Sequence, residues 1–369
     1  MTLIVLSAGN STRFGYEVKK QWIRIGNKPL WQFVADKINE FFDFKKTIIT
    51  ANPKEVRLYE KSSDYTIIPG DKERQLSLKN ALEYVNTEYV MVTDVARACV
   101  PKEVVLNLLN NPADCTVPFL KPVDTIVYEN KTIDREKVKL IQTPQLSRTE
   151  ILKKALNTDK LFTDERAAIE ALGGEIKYIP GSKLSKKITY FEDLDLPCLT
   201  PPKKVFLTGN GYDTHAFEKN KKMILGGVEI DSDYGLKAHS DGDVVIHSLI
   251  DALLGAAGFG DIGEFFPDTD EKYKNASSVK LLEEIISTLN STGYEIINAD
   301  ISIIAEKPKL KKYKTKIQRN LSNILKAPVN VKATTNEKMG FIGRGEGIAV
   351  ISNANLTYKD WHEHYNSRK

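Results

Sequence analysis

The chain has 369 residues, enough for two domains, and its 53 Lys+Arg against 49 Asp+Glu leave a net charge of only +4. So weak a balance argues against a nucleic-acid partner, and 41% hydrophobic with 28% charged residues excludes wholesale disorder. The longest strongly apolar run, around Ala252 to Phe259, is far short of the ~20 residues of a membrane-spanning helix.

The opening residues Met1 to Ala8 are apolar, lack a basic flank and lead into a Gly/Ser/Asn loop. They read as a buried strand and not a signal peptide. Leu30, Phe33, Val34, Ile38 and Phe41 recur at spacings of three and four, which predicts a helix from Pro29. Strands at 47–50, 65–68 and 89–92 alternate with helices at 53–60, 73–85 and 101–109. That alternation predicts a Rossmann-like α/β domain with a mostly parallel sheet. Pro197, Pro201 and Pro202 then crowd into six residues, which neither a helix nor a central strand accommodates. A linker is expected at 199–206, between domains at 1–198 and 207–369. Beyond it the pattern is α+β, with helices at 243–257 and 277–290 and strands at 295–305, 329–334 and 348–356. The Lys-rich stretch 307–316 reads as a solvated helix face.

Cys99, Cys115 and Cys198 form no C-x-x-C pair, so neither a disulfide nor a cysteine zinc site is expected. The expected compartment is the reducing cytoplasm. Any transition-metal site then falls to carboxylates and five His.

The first strand ends in Ser7-Ala8-Gly9-Asn10-Ser11-Thr12-Arg13-Phe14-Gly15, followed by Lys19-Lys20-Gln21. A small-residue turn after a buried strand lets backbone N–H groups approach phosphate oxygens. Neither G-x-G-x-x-G nor G-x-x-x-x-G-K-[S/T] occurs, which argues against a dinucleotide or P-loop site. Arg13 and Lys20 suit instead an attack on the α-phosphorus of a nucleoside triphosphate, where negative charge builds on five-coordinate phosphorus. Arg74, Asp94 and Arg97 follow the third and fourth strands, at the sheet edge where open α/β folds gather ligands.

Together with Asp124-Thr125, Asp134-Arg135, Thr143-Pro144-Gln145, Thr163-Asp164-Glu165 and Lys187, these motifs resemble the 2-C-methyl-D-erythritol 4-phosphate cytidylyltransferases over residues 1 to about 200. The resemblance implies that Arg13 and Lys20 stabilise the pentavalent transition state and the leaving pyrophosphate. It places Ala8, Gly9, Gly70, Asp71, Arg74 and Ser77 among the substrate contacts, with Mg2+ accompanying CTP. Asp94, Arg97, Thr125, Thr143 and the catalytic Lys187 would hold methylerythritol phosphate, and Arg135 would reach in from a dimer partner. Ser11 and Asp71 depart from the pattern, each carrying a Cβ where the family has Gly; Ala98 stands where Pro is usual.

Asp213-Thr214-His215 sets two ligand types at i and i+2 on one face of an extended segment. His247 lies on the helix that Ser240 or Asp241 is expected to cap. Asp213, His215 and His247 make an Asp-His-His set that leaves one tetrahedral position open. Asp243 or Asp251, four residues either side of His247, is expected to orient it. A lone core histidine is the blander explanation of His247, and the convergence of three ligand types outweighs it.

The strings Gly211-Tyr212-Asp213-x-His215-x-Phe217, Ala238-His239-Ser240-Asp241-Gly242-Asp243, Asp251 to Ala256, Gly260-Asp261-Ile262-Gly263, Lys332-Ala333-Thr334-Thr335 and Gly343-Arg344-Gly345-Glu346-Gly347 carry a second resemblance. From about Phe206 to Leu356 the chain is similar to the 2-C-methyl-D-erythritol 2,4-cyclodiphosphate synthases. That similarity implies Zn2+ on Asp213, His215 and His247, and Mg2+ or Mn2+ on Glu337. It implies substrate contacts from His239, Ser240, Asp261, Gly263, Asp268, Ala305, Lys309, Thr334, Thr335, Phe341 and Arg344. This family is trimeric with sites between subunits, whereas the first is dimeric, so a homo-oligomer up to a hexamer is expected. The two reactions are not consecutive, and no loop here suits the intervening kinase. Two other readings are a general sugar-phosphate nucleotidyltransferase fused to a metal phosphohydrolase, and a nucleotide-binding regulator with degenerate sites. Nucleotide preference separates the first, and retention of the charged residues argues against the second.

Overall fold

Contacts divide the chain, a computed structural model describing residues 1–267, 269–273 and 276–367, into two units. One comprises Met1–Pro202 with Asp360–Lys369, the other Lys203–Lys359.

In the first unit the strand Thr2–Leu6 is buried along its whole length. It pairs in parallel with Lys46–Ala51 on one side and Tyr89–Asp94 on the other, and Thr66–Pro69 extends the sheet beyond Lys46–Ala51. The spatial order is thus third, second, first, fourth, and it reverses between the first and fourth strands. Such a reversal opens a crevice at the strands' carboxyl ends, where Leu6 and Asp94 lie in register. Beyond Tyr89–Asp94 comes a mixed section that the apolar patterning did not reveal: Gln145–Arg148 runs antiparallel to both Tyr89–Asp94 and Cys115–Leu120. Ile176–Pro180 then pairs in parallel with Cys115–Leu120.

The second unit is built on a five-stranded sheet ordered Tyr234–Leu236, Leu207–Lys219, Gly347–Tyr358, Tyr294–Ile304 and Val329–Thr334. The apolar helix Val244–Ala257 packs across Leu207–Lys219. Its backbone comes so close that a Cβ at Gly211 would overlap the Ser248 carbonyl, which makes glycine obligatory there. The helix over the Lys-rich stretch starts only at Lys314 and runs to Leu325. Residues 307–313 are irregular, consistent with Pro308, which a helix interior excludes.

Two features correct the sequence reading. Cys99 and Cys198 form a disulfide, with Cα atoms 5.7 Å apart across 99 residues, while Cys115 is free and buried. Spacing along the chain hid this pair; the loop after Tyr89–Asp94 and the start of the Pro-rich stretch meet only in the fold. That stretch is also fastened, because Gly26 N–H donates to the Pro201 carbonyl and Leu199 is buried. Alkylating the unfolded, unreduced chain is expected to label one cysteine, and prior reduction three, as read by intact mass.

The second correction concerns the C-terminus, which was assigned with 207–369. Residues 360–367 belong to the first unit, where the helix Trp361–Ser367 is capped by Asp360 Oδ1 accepting from His362 and Glu363 N–H. Trp361 is buried and its indole N–H donates to the Arg24 carbonyl at 2.7 Å. A helix of seven residues is too short for periodicity to register.

Candidate active sites

The crevice of the first unit is a cavity of about 340 Å³. Ala8, Gly9, Arg13, Lys20, Asp71, Arg74, Ser77, Asp94 and Lys187 all line it. The loop after the first strand is held from inside: Gln21 Nε2 donates to the Gly9 carbonyl at 3.0 Å, and Ser11 Oγ donates to Gln21 Oε1 at 2.7 Å. Ser11 takes φ 55°, the left-handed region that favours glycine. Its hydroxyl offsets that cost by also accepting the Lys20 N–H. The departure from Gly is thereby accommodated, and Asp71 N–H is likewise engaged, donating to Ser77 Oγ at 2.9 Å. A Cβ at Gly70 would overlap Ala8 and crowd Ser77, so this residue shapes the wall without reaching the cavity.

Opposite the loop, Asp94 organises two cations. Its Oδ1 accepts Arg74 Nε at 2.9 Å and its Oδ2 accepts Lys187 Nζ at 2.7 Å. Burial opposes ionisation, but Arg74 and Lys187 hold the Asp94 carboxyl well below the usual range. Thr143 Oγ1 accepts the Asp94 N–H, and Arg97 donates to the Ser185 and Ile141 carbonyls, so both residues brace the site from behind. Thr125 and Arg135 lie elsewhere, exposed beside the hairpin Ile126–Tyr128/Lys131–Ile133, with Arg135 donating to the Val123 carbonyl.

Glu165 was quoted in the sequence motif without a role. Fully buried, it accepts Arg74 Nη1 at 2.7 Å, and burial raises its pKa against the pull of Arg74. Arg74→Met would leave Glu165 as a buried carboxylate without its cation, beside an Asp94 that keeps only Lys187. A loss of about 3 kcal/mol is expected in denaturant unfolding of this unit, whereas the smaller change Lys79→Met on the same helix should cost little.

Lys20 sits beneath the loop, its Nζ donating to the Ile188 carbonyl at 2.9 Å. Burial, with Lys187 and Arg13 nearby, pulls its ammonium down to about 8. Arg13, Lys20 and Lys187, together with Lys72 and the Asp94-paired Arg74, therefore border one polar cavity.

In the second unit Asp213 Oδ2, His215 Nε2 and His247 Nδ1 form a triangle with sides of 2.8, 3.3 and 3.2 Å. Tetrahedral ligands on bonds of ~2.0–2.1 Å stand about 3.3 Å apart, so these atoms fit one transition-metal ion. Among the described residues this is the one such cluster of three. Both rings are set for it. His215 Nδ1 lies 2.7 Å from the Lys237 carbonyl, which only accepts, so Nδ1 carries the proton and Nε2 keeps its lone pair. His247 Nε2 lies 2.9 Å from Ser278 Oγ, whose own proton goes to Asp241, leaving Nδ1 for the centre.

Neither carboxylate expected to orient His247 does so. Asp243 is the helix cap and takes the N–H groups of Gly226, Gly227, Val245 and Ile246; Asp251 takes that of Ile262. Asp243 is fully engaged with backbone left unpaired by turns and helix starts, and Asp251 gives one oxygen, Oδ1, to such a group while lining the same cavity as His247. The orienting pair is instead Ser240 and Ser278, backed by Asp241. Ser278 opens a helix 31 residues away, and no spacing rule connects it to His247.

The surrounding cavity of about 280 Å³ is also lined by His239, Ser240 and Gly263. His239 Nε2 is buried without a partner among the described residues. Asp261 caps the helix Ile262–Phe265, and Asp268 lies outside the described residues. The remaining expected contacts do not reach this cavity: Ala305, Lys309, Thr334, Thr335, Glu337, Phe341 and Arg344 belong to another part of the unit. Thr335 Oγ1 donates to Glu337 Oε1 at 3.3 Å, and Arg344 Nε to Glu346 Oε1 at 2.6 Å. In register, Thr214, Ala349, Ile304 and Thr334 form one row across four strands. The two clusters thus share an end of the sheet, flanking Thr214 and Thr334, whose backbones stand three strand spacings or about 14 Å apart.

A family model described as 2-C-methyl-D-erythritol 4-phosphate cytidylyltransferase matches residues 1–198, and the YgbB family model matches 206–357. The chain is 56% identical to the bifunctional enzyme IspD/IspF of Aliarcobacter butzleri, over 98% of each protein. It is 52% identical to that of Nitratiruptor sp., covering 98% of this chain and 99% of the relative. The solved structure of the bifunctional IspDF from Campylobacter jejuni superposes with a TM-score of 0.85 at 48% identity, covering 98% of this chain and 99% of that one. The chain belongs to the bifunctional IspD/IspF enzymes of isoprenoid-precursor synthesis, and joins a methylerythritol phosphate cytidylyltransferase to a cyclodiphosphate synthase in one polypeptide.

Proposed function

We propose that the crevice of the first unit carries the cytidylyl transfer, with the 4-phosphate of methylerythritol phosphate attacking the α-phosphorus of Mg2+-bound CTP and expelling pyrophosphate. The convergence of Arg13, Lys20 and Lys187 on one cavity supports this reading most strongly. Arg13 and Lys20 stabilise charge on the triphosphate, while Ala8, Gly9, Gly70, Asp71 and Ser77 frame the nucleotide. Lys187 takes the attacking phosphate, held in place by Asp94 with Arg74, Arg97 and Thr143 behind it. No protein nucleophile takes part. Thr125 and Arg135 complete the site from a second copy, a role consistent with the exposed Val127 and Tyr128 on their hairpin. CTP is a cytoplasmic metabolite, so we assign the reaction to the cytoplasm.

Asp213, His215 and His247 hold Zn2+ in the second unit, and the bound ion supplies Lewis-acid polarisation of a substrate phosphate. The chain's residues place 4-diphosphocytidyl-methylerythritol 2-phosphate so that its 2-phosphate oxygen faces the β-phosphorus. The new P–O bond closes the cyclic diphosphate and CMP leaves. His239, whose Nε2 has no partner among the described residues, and Ser240 and Gly263 contact the methylerythritol side. Asp261 caps the helix whose first residues, Ile262 and Gly263, line the metal cavity. Glu337 and Thr335 offer the single carboxylate and hydroxyl that suit Mg2+ or Mn2+ shared with phosphates, and Thr334, Ala305, Lys309, Phe341 and Arg344 surround the cytidine end. The placing of the two clusters three strands apart, with none of the second lining the metal cavity, supports a site closed by a neighbouring subunit, hence a head-to-tail trimer. Trimeric second units and dimeric first units combine into a hexamer, and sedimentation showing a stable, active monomer would refute it.

The experiment is product release from the purified chain. Pyrophosphate release with methylerythritol phosphate is expected to require CTP over UTP and ATP. Dipicolinate treatment is expected to stop CMP release, and zinc to restore it, without changing Mg2+-supported pyrophosphate release. Equal use of the three nucleotides, or CMP release insensitive to chelation, contradicts the reading.

A further inference from the structure

Residues 358–367 lie outside both family-model matches, yet the helix Trp361–Ser367 is packed into the first unit. Its contacts fall on the two segments that carry the catalytic cations. Phe14 directly follows Arg13, is fully buried and sits 5.8 Å from the Phe191 ring. Phe191 opens the short helix Phe191–Leu194, four residues after Lys187, and is itself buried. Against this pair lie His364, 5.2 Å from Phe191 and 5.0 Å from Tyr16, and Tyr365, 6.1 Å from Phe191. Tyr16 closes the cluster at 4.8 Å from Phe191. Trp361 anchors the helix through the Arg24 carbonyl, and Asp360 caps it.

Aromatic contacts of this kind contribute packing with defined geometry. Among the described residues the segment between Lys187 and Phe191 is tied toward the site by Ile188 N–H to the Ala96 carbonyl and by Lys20 Nζ to the Ile188 carbonyl, and to the short helix by the Thr189 and Tyr190 N–H groups donating to Asp193 Oδ2. Displacing Phe191 therefore moves Lys187 and Lys20 together, and displacing Phe14 moves Arg13. We propose that the C-terminal helix positions the cytidylyltransferase cations, His364 acting through Phe191, Tyr16 and Phe14 while Trp361 anchors the helix at Arg24, so that the first reaction depends on the helix Trp361–Ser367. The inference rests on the assignment of Arg13 and Lys187 to transfer.

The test compares the full chain with one ending at Lys359 and with full-length Trp361→Ala, Trp361→Phe and His364→Ala. Pyrophosphate release, CMP release and the folded fraction at the assay temperature are measured for each. The expected result is a kcat for transfer lowered roughly 10- to 100-fold without the tail. The KM for CTP and the CMP release rate stay unchanged, and Trp361→Phe, which keeps a buried ring but cannot donate to the Arg24 carbonyl, recovers only part of the transfer lost in Trp361→Ala. Should removal of the tail unfold the first unit, His364→Ala carries the same comparison in a folded chain. Undiminished transfer, or a loss equal to the unfolded fraction, overturns the proposal. Arg13→Ala and Lys187→Ala with the tail intact separate the two readings. Unchanged transfer in those variants defeats the site assignment, whereas their loss beside a fully active tail-less chain defeats only this inference.

Discussion

His247→Ala is expected to abolish CMP release from the cyclase substrate and to remove most zinc from the purified chain. The triangle of Asp213 Oδ2, His215 Nε2 and His247 Nδ1 offers three donors, and loss of one leaves a two-ligand site. The fall should exceed the ~10–100-fold that loss of an outer partner brings. Ser278→Ala provides that smaller comparison: His247 Nε2 loses its best acceptor, the ring is less firmly held, and metal affinity should drop by ~10–100-fold. Zinc content and CMP release as a function of added zinc distinguish the two variants. A His247→Ala chain with full zinc content and full CMP release refutes the metal centre.

Lys20→Ala is expected to lower pyrophosphate release by ~10²–10³-fold, the cost of removing one aligned donor from a transition-state site. Its ammonium sits near 8, so the cationic form prevails below that pH and is lost as pH rises through it. kcat/KM for transfer in the unaltered chain should therefore decline on the alkaline side of about 8. Lys20→Arg stays charged throughout, and its profile should lack that limb even where its maximum is lower. A Lys20→Arg profile that falls in the same place assigns the limb to another group.

Much of this was legible from residue type and local spacing. Buried strands announce themselves by apolar runs, and the loop from Ala8 to Arg13 follows the first of them directly. Asp213 and His215 share a strand face because they lie two positions apart. The missed features have one physical character: they join residues through the fold. Ser278 reaches His247, Glu165 reaches Arg74, and Cys198 reaches Cys99 across gaps that no periodicity spans. Asp243 and Asp251 show the reverse case. Their four-residue spacing from His247 is real, but the N–H groups of Gly226 and Gly227 take both Asp243 oxygens and that of Ile262 takes Asp251 Oδ1. Unpaired backbone competes for a carboxylate as strongly as an imidazole does, and sequence spacing carries no record of that competition.

The central claim is that one chain holds two chemically independent sites, and the direct measurement is both product-release rates on each single-site variant. Lys20→Ala should lose pyrophosphate release and keep CMP release at the unaltered rate, and His247→Ala should do the opposite. Loss of both activities in either variant would contradict the account.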